Sequence, residues 1–176
     1  MKKIKLFIVL IVSSLQLLAQ KYLPAPPISP NRLFYIQRSN NAHTVVYDAN
    51  FVNPKTLHRE NPVNVYWIRY DATTHTQKLS AVEKALAYGV EVEKNAKEKD
   101  CFDVKIVALK KRMLKVKIND SGKPIALMQI NGIEGQLCKV FVQLENEDAL
   151  KPTVRYIELF GKNLSTGEAI YEKFVP

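Results

Sequence analysis

Charged and aromatic side chains that can bind an anion or a sugar are concentrated between residues 33 and 70. Arginine binds carboxylates and phosphates through paired hydrogen bonds, and tryptophan offers a flat ring that stacks on a sugar or a cation. We expect three strands of this stretch to bring the charged residues together near one end of a sheet, as an anion or glycan pocket. The candidate ligand-binding residues are Arg38, Asn40, Asp48, Asn50, Trp67 and Arg69.

A structural role is the alternative explanation of the same residues. In that case Asp48 forms a buried ion pair with Arg38 or Arg69 that fixes the register of the strands. The asparagines then stabilise turns, because their side chains bond to nearby main chain. Both explanations require the three strands to be neighbours.

The sequence contains no recognisable metal or nucleophile motif. Its histidines, His43, His58 and His75, are not at close metal-ligand spacing, and there is no paired-cysteine motif. No serine lies in a G-x-S-x-G motif, and no glycine-rich loop precedes a helix. We therefore expect no metal and no cofactor.

A hydrolase is the least favoured function, and we lean against an enzyme. Such a site would have to be assembled from acids that are distant in sequence. Glycoside hydrolysis in particular needs two carboxyl groups at a suitable separation. The acids considered for that role are Asp48, Asp71 and Glu158.

Residues 1–19 have the three-part pattern of a secretory signal peptide. Three lysines precede an apolar run, and the small residue Ala19 fits the position before a cut. An uncleaved anchor is the alternative, but the apolar run is shorter than the roughly 20 residues that span a bilayer. We expect export to the periplasm, the cell surface or the medium, with no transmembrane segment after cleavage. Residues 20–32 form a proline-rich lead-in to a single domain, 33–176.

The charge balance argues against a nucleic-acid partner. The chain has 26 basic and 17 acidic residues and a net charge of +9; without the three lysines of the leader, 23 basic residues leave +6. The densest basic cluster, residues 110–117, lacks the interleaved aromatic residues of nucleic-acid surfaces. The expected partner is a small molecule or a glycan, and the sequence does not indicate an oligomeric state.

The two cysteines allow a disulfide, but free thiols are favoured. An exported chain meets an oxidising compartment, in which Cys101 and Cys138 can pair. Cys138 alternates in phase with Val140 and Val142, which predicts a core position for a small apolar side chain.

Short alternating strands separated by turn signals predict a mainly β fold. About nine strands follow from the pattern, arranged as an antiparallel meander that closes into a barrel or a two-layer sandwich. One α-helix is predicted near residues 80–89, because Ser80 and Glu83 form a capping box. Leu79, Val82 and Leu86 recur at helical spacing, and Gly89 is expected to end the helix in a left-handed cap.

Three segments resemble an exported bacterial family. They are residues 39–50 (SNNAHTVVYDAN), 61–71 (NPVNVYWIRYD) and 79–90 (LSAVEKALAYGV). The family is catalogued as domain of unknown function 4833, and the resemblance covers about residues 33–170. It implies one exported β-rich domain but brings no activity, cofactor or site residue. We expect a binding module of the bacterial envelope; the alternative is a structural or interaction protein without a small ligand.

Overall fold

The computed structural model describes residues 23–98, 100–145 and 152–176. The described residues form one large curled sheet, a small separate hairpin and one short helix. The expected leader, residues 1–19, and the first part of the lead-in lie outside them. No helix of the described part of the chain has the length and apolar character needed to cross a membrane.

Strands make up most of the described chain. They are β1 (Arg32–Arg38), β2 (Thr44–Ala49), β3 (Phe51–Asn53), β4 (Thr56–Leu57), β5 (Val63–Tyr70), β6 (Thr74–Lys78), β7 (Val90–Lys94), β8 (Phe102–Ile106), β9 (Met113–Ile118), β10 (Pro124–Ile130), β11 (Ile133–Leu144), β12 (Val154–Asn163) and β13 (Ala169–Phe174). The helix α1 (Ala81–Glu83) continues into a π-helical turn, Lys84–Tyr88, and a 3₁₀ turn covers Val107–Leu109.

The large sheet is an open, mixed half-barrel. Its strands follow the order β6-β5-β2-β1-β11-β10-β9-β8-β7, and β12 and β13 extend from the other side of β11. The prediction of a mainly β fold with one helix is confirmed. Thirteen strands form in the described residues where about nine were predicted, and α-helical geometry is limited to Ala81–Glu83 of the predicted 80–89. The prediction of an antiparallel meander closed into a barrel or sandwich is wrong, because β1 and β11 are parallel and the sheet does not close.

Strand β11 joins the two parts of the sheet because it is long enough to take two partners on one side. Its first residues pair with β10, and residues 139–142 pair with β1. The register between β11 and β12 shifts between Leu137 and Lys139, and such a bulge changes which face successive side chains occupy. Leu137 and Val140 are therefore both fully buried, whereas Cys138, predicted in the core, is only half-buried.

The inner face of the half-barrel is filled by a hydrophobic core. On β1, β2 and β5 this face carries Phe34, Val45, Tyr47 and Trp67, all at most 2% exposed. The rings of Phe34 and Tyr47 stack with their centroids 4.4 Å apart. This packing fills the inner face at these three strands with side chains.

The proline-rich lead-in lies across the outer face of the same three strands. Gln37 donates through Nε2 to the carbonyl oxygen of Pro24 at 2.7 Å, and the hydroxyl of Tyr70 donates to that of Ala25 at 3.4 Å. Pro26, in the middle of this segment, is buried. Because both faces are covered, all six residues of β2 are buried.

The helix forms where its capping box predicts it. The hydroxyl of Ser80 accepts from the backbone N–H of Glu83, and the carboxylate of Glu83 accepts from that of Ser80. The left-handed cap at Gly89 is wrong: its backbone is extended, with φ −63° and ψ 164°. A Cβ there would lie 2.3 Å from the carbonyl oxygen of Lys84, so close approach rather than handedness requires the glycine.

Both cysteines are free thiols, as favoured from the sequence. Cys101 is fully buried, and burial raises the pKa of its thiol to about 11. A thiol with so high a pKa is a weak nucleophile at neutral pH, because the thiolate is the reactive form.

Candidate functional site

The carboxylate of Asp48 is the centre of a hydrogen-bonded network at one end of the sheet. Oδ1 accepts from Nε of Arg32 at 2.6 Å, and Oδ2 accepts from the hydroxyl of Tyr66 at 2.7 Å. The hydroxyl of Ser29, in the lead-in, donates to Oδ2 at 3.4 Å. Asp48 is only 8% exposed, so this network compensates a nearly buried charge.

The register of the strands explains which residues meet Asp48. Asp48 is opposite Arg32 on β1 and opposite Asn64 on β5. The register between β1 and β2 shifts between Arg32 and Phe34, and this irregularity places Arg32 beside the acid. Burial is the main reason that the pKa of Tyr66 is raised, and its hydrogen bond to Asp48 raises it further.

An open groove of about 850 Å³ lies beside this network. Its walls are the lead-in with the start of β1, the β3 region, the turn between β9 and β10, and Gln136 on β11. Two cationic residues, Arg32 and Lys123, line it together with exposed apolar residues of which Ile28 is 102% and Val52 64% exposed. Mostly apolar walls with a few fixed polar groups are typical of small-ligand sites of this size.

Arg38, Trp67 and Arg69 lie elsewhere, on the inner face at the opposite end of the same strands. Arg38 lies on the same face of β1 as Ile36, which is paired with Val45 on β2. Asp48 is an odd number of residues from Val45, so its side chain lies on the opposite face of the sheet. The expected convergence of Asp48 with Arg38 and Arg69 therefore does not occur. The expected structural pairing of Asp48 with either arginine is also replaced, because its partner is Arg32.

Trp67 belongs to the core and has no ring face open to a sugar. It is 2% exposed, and the guanidinium carbons of Arg38 and Arg69 lie 5.2 and 4.7 Å from its ring centroid. Tyr88 packs against it edge-on at 5.2 Å. Its indole N–H donates to Oε1 of Glu83 at 3.0 Å, which attaches the helical segment to the sheet.

The two candidate asparagines have turn and loop contacts. The side-chain oxygen of Asn40 accepts from the Asn41 amide at 3.0 Å, and Asn41 in turn accepts from the backbone of His43. The side chain of Asn50 donates to the carbonyl oxygen of Asn61 at 2.9 Å. These bonds connect neighbouring loops and place neither asparagine in the wall of the groove.

Sequence reasoning missed Arg32, Ser29 and Lys123. Arg32 had a detectable signal: a hairpin turning at residues 40–41 brings the start of β1 opposite the end of β2. The lead-in and the β9–β10 turn come together at the groove because the sheet is curled. No local sequence pattern indicates that curvature.

Comparison with known proteins identifies a family but no characterised relative. No curated protein and no solved structure matches the chain. The model of the family described as domain of unknown function (DUF4833) matches residues 34–173. Since this match covers most of the chain, the protein belongs to the DUF4833 family.

Proposed function

We propose that the protein is an exported binding module of the bacterial envelope. Its ligand is a small molecule or glycan that carries an anionic group and lies in the groove beside Arg32. The observation that carries this proposal is the fixed orientation of Arg32 by the carboxylate of Asp48 in the wall of a groove of about 850 Å³. Such preorganisation lowers the entropic cost of binding.

Charge and polarity of the groove define the ligand class. Arg32 and Lys123 are the cationic residues of its wall, and Asp48 contacts Arg32 from behind rather than lining the groove. The exposed side chains of Ile28 and Val52 offer apolar surface. A ligand with one carboxylate or phosphate and a sugar ring or apolar portion fits both properties.

The spacing of the acids argues against a glycoside hydrolase built on Asp48. Asp48 is opposite Asn64, while Asp71 follows the end of the same strand, about 20 Å away at roughly 3.3 Å per residue. Three strand-to-strand steps separate β2 from Glu158 on β12, or about 14 Å at about 4.8 Å per step. Both separations exceed the roughly 10 Å at which two carboxyl groups cooperate in glycoside hydrolysis.

The arrangement of the lead-in argues against the interaction-protein alternative. Its carbonyl groups at Pro24 and Ala25 and its hydroxyl at Ser29 already bond to residues of the same domain. A partner that recognised this segment would have to displace those contacts. The described part of the lead-in therefore serves the fold and one wall of the groove.

Binding of an acidic sugar tests the proposal. Glucuronate and glucose are titrated into the ¹⁵N-labelled protein, and chemical-shift changes are followed by NMR. We expect glucuronate, but not glucose, to shift the amides of the β9–β10 turn. Arg32→Gln and Lys123→Gln should each weaken binding by about tenfold or more, the effect of losing one charge-assisted hydrogen bond.

Lys111→Gln is the matched control, because Lys111 is exposed and lies outside the groove wall. It removes the same charge and should leave the affinity unchanged. Native mass spectrometry of protein purified from the envelope adds a test that needs no chosen ligand. Equal weakening by all three variants, or shifts confined to residues outside the groove together with no retained mass, would contradict the proposal.

A further inference from the structure

Two arginines share one tryptophan on the inner face of the half-barrel. The guanidinium carbon of Arg38 lies 5.2 Å from the Trp67 ring centroid and 5.6 Å from that of Tyr88. That of Arg69 lies 4.7 Å from the Trp67 centroid, so the two guanidinium groups are at most about 10 Å apart. Aromatic faces attract guanidinium groups but accept no hydrogen bond in the plane of the guanidinium.

The two arginines of this cluster form no ion pair within the described residues, although Glu83 is close enough to interact with the charge of Arg69. Neither Arg38 nor Arg69 has a described carboxylate within 4.0 Å, although other arginines of the chain do. Nε of Arg69 donates to the neutral side-chain oxygen of Gln77 at 2.9 Å, so its charge is not neutralised there. Nε of Arg38 is buried and has no hydrogen-bond partner within that part of the chain. Buried donors are normally satisfied, so an unpaired one calls for an explanation such as an absent ligand.

The nearby acids are engaged with other groups. The carboxylate of Glu83 accepts from Ser80 and from the Trp67 indole. Asp71 lies 3.4 Å from Nε2 of His43. Thr44 is paired with Ile68, so the next residues outward, His43 and Arg69, lie opposite each other on the same face of the sheet.

We propose that Arg38 and Arg69 form a second anion site, which takes an oxyanion group such as phosphate or carboxylate. The anion accepts from the Arg38 guanidinium, including its buried Nε, and is held in place by the charge of Arg69. The site is independent of the groove at Arg32, which lies at the other end of the strands and on the other face. An oxyanion is the group that matches a planar guanidinium with two hydrogen bonds.

Fluorescence of Trp67 reports on this site directly, since it is the one tryptophan of the chain. Inorganic phosphate is titrated into the purified protein at constant ionic strength, with chloride replaced by phosphate. We expect a saturable change in emission. Arg38→Gln and Arg69→Gln should each weaken the apparent affinity by about tenfold or more, as expected for one charge-assisted hydrogen bond.

Two controls make the result specific. Arg155→Gln removes an exposed arginine of β12, and Arg32→Gln removes the cation of the groove; both should keep the phosphate response. Circular dichroism checks that each variant is folded. If Arg38→Gln does not fold, the result for Arg69→Gln decides alone.

Succinate replaces phosphate in a second series of titrations. A response to either anion that depends on the two arginines supports the site.

Three results would overturn the proposal. One is the absence of a saturable response to both anions. Another is a response that both arginine variants retain. The third is a response that Arg32→Gln abolishes, because the anion would then be bound in the groove.

Discussion

Arg32 and Asp48 face each other across the first two strands, with Nε of the arginine 2.6 Å from Oδ1 of the acid. Their side chains are 15% and 11% exposed, so most of both charges has been removed from water. Tyr66 and Ser29 supply further hydrogen bonds to the same carboxylate. The pair therefore holds the lead-in, β1, β2 and β5 together at the edge of the groove.

Removing the acid should destabilise the protein strongly. Asp48→Ala leaves the Arg32 guanidinium without its partner in a nearly buried position, and breaking such a pair costs about 3 kcal/mol. Urea unfolding followed by circular dichroism measures this loss. Asp120→Ala, an exposed acid in the β9–β10 turn, is the control and should change the free energy of unfolding by less than about 0.5 kcal/mol. Equal effects of the two substitutions would contradict a stabilising role of the pair.

The lead-in should contribute to stability as well as to the groove. A chain that starts at Arg32 loses the contacts of Pro24, Ala25 and Ser29 and uncovers the outer face of β2. At about 1 kcal/mol per hydrogen bond and roughly 3 °C per kcal/mol, Tm should fall by about 10 °C. Thermal unfolding of this shortened chain is compared with that of a chain that starts at Leu23. The longer chain keeps those contacts and should have the higher Tm. An equal Tm for both chains would show that the segment only rests on the surface.

Leu79 and Leu86, which the sequence predicted on one helix face, should differ in their effect on stability. Leu79 is 5% exposed, whereas Leu86 is 73% exposed although the helical spacing predicts the same face. Leu79→Ala should cost about 2 to 5 kcal/mol, the range for a buried leucine, and Leu86→Ala less than about 0.5 kcal/mol. Chemical unfolding of the two variants measures both values. A larger loss for Leu86→Ala would restore the sequence-based prediction of an inward-facing helix.

Acid should destabilise the protein through His43. Burial is the main reason that its pKa lies below the ordinary value of 6.5; Arg69, Arg38 and His75 lower it further, and Asp71 opposes them. The unfolded chain therefore takes up a proton at a higher pH than the folded chain does. The stability that His43 contributes is therefore complete above its ordinary pKa of 6.5. It should be lost as the pH falls from there to the lower pKa of the folded chain.

His43→Gln should make the free energy of unfolding less dependent on pH between about pH 7 and about pH 5. Urea titrations at a series of pH values give the slope for wild type and variant. At about pH 8 the imidazole is neutral in both states, so any difference there measures the lost hydrogen bond from the backbone of Tyr70. Parallel pH curves for the two proteins would exclude His43 as the source.

Local sequence patterns predicted the individual elements well. Alternation between Leu33 and Arg38, an asparagine turn and a second alternating run produce the β1–β2 hairpin. The capping box at Ser80 and Glu83 forms in full. In each case the determining contacts lie within a few residues of one another, so the pattern contains them.

Long-range geometry was not predictable in the same way. The bulge beside Cys138 exchanges the buried and exposed faces along β11. An alternating sequence pattern does not show where such a bulge interrupts the alternation. Asp48 was expected to meet Arg38 or Arg69, but the register puts Asn64 opposite it on β5. The residues of the groove wall come from four separated parts of the chain, so only the folded sheet defines that site.

The parallel pairing of β1 with β11 also affects how the protein folds. It joins residues such as Ile36 and Val140, more than 100 positions apart, at the centre of the sheet. Folds dominated by such distant contacts form slowly, because loop closure is costly before the contacts stabilise it. The first hairpin therefore gains its parallel partner only after β11 has been synthesised, about 100 residues further along the polypeptide.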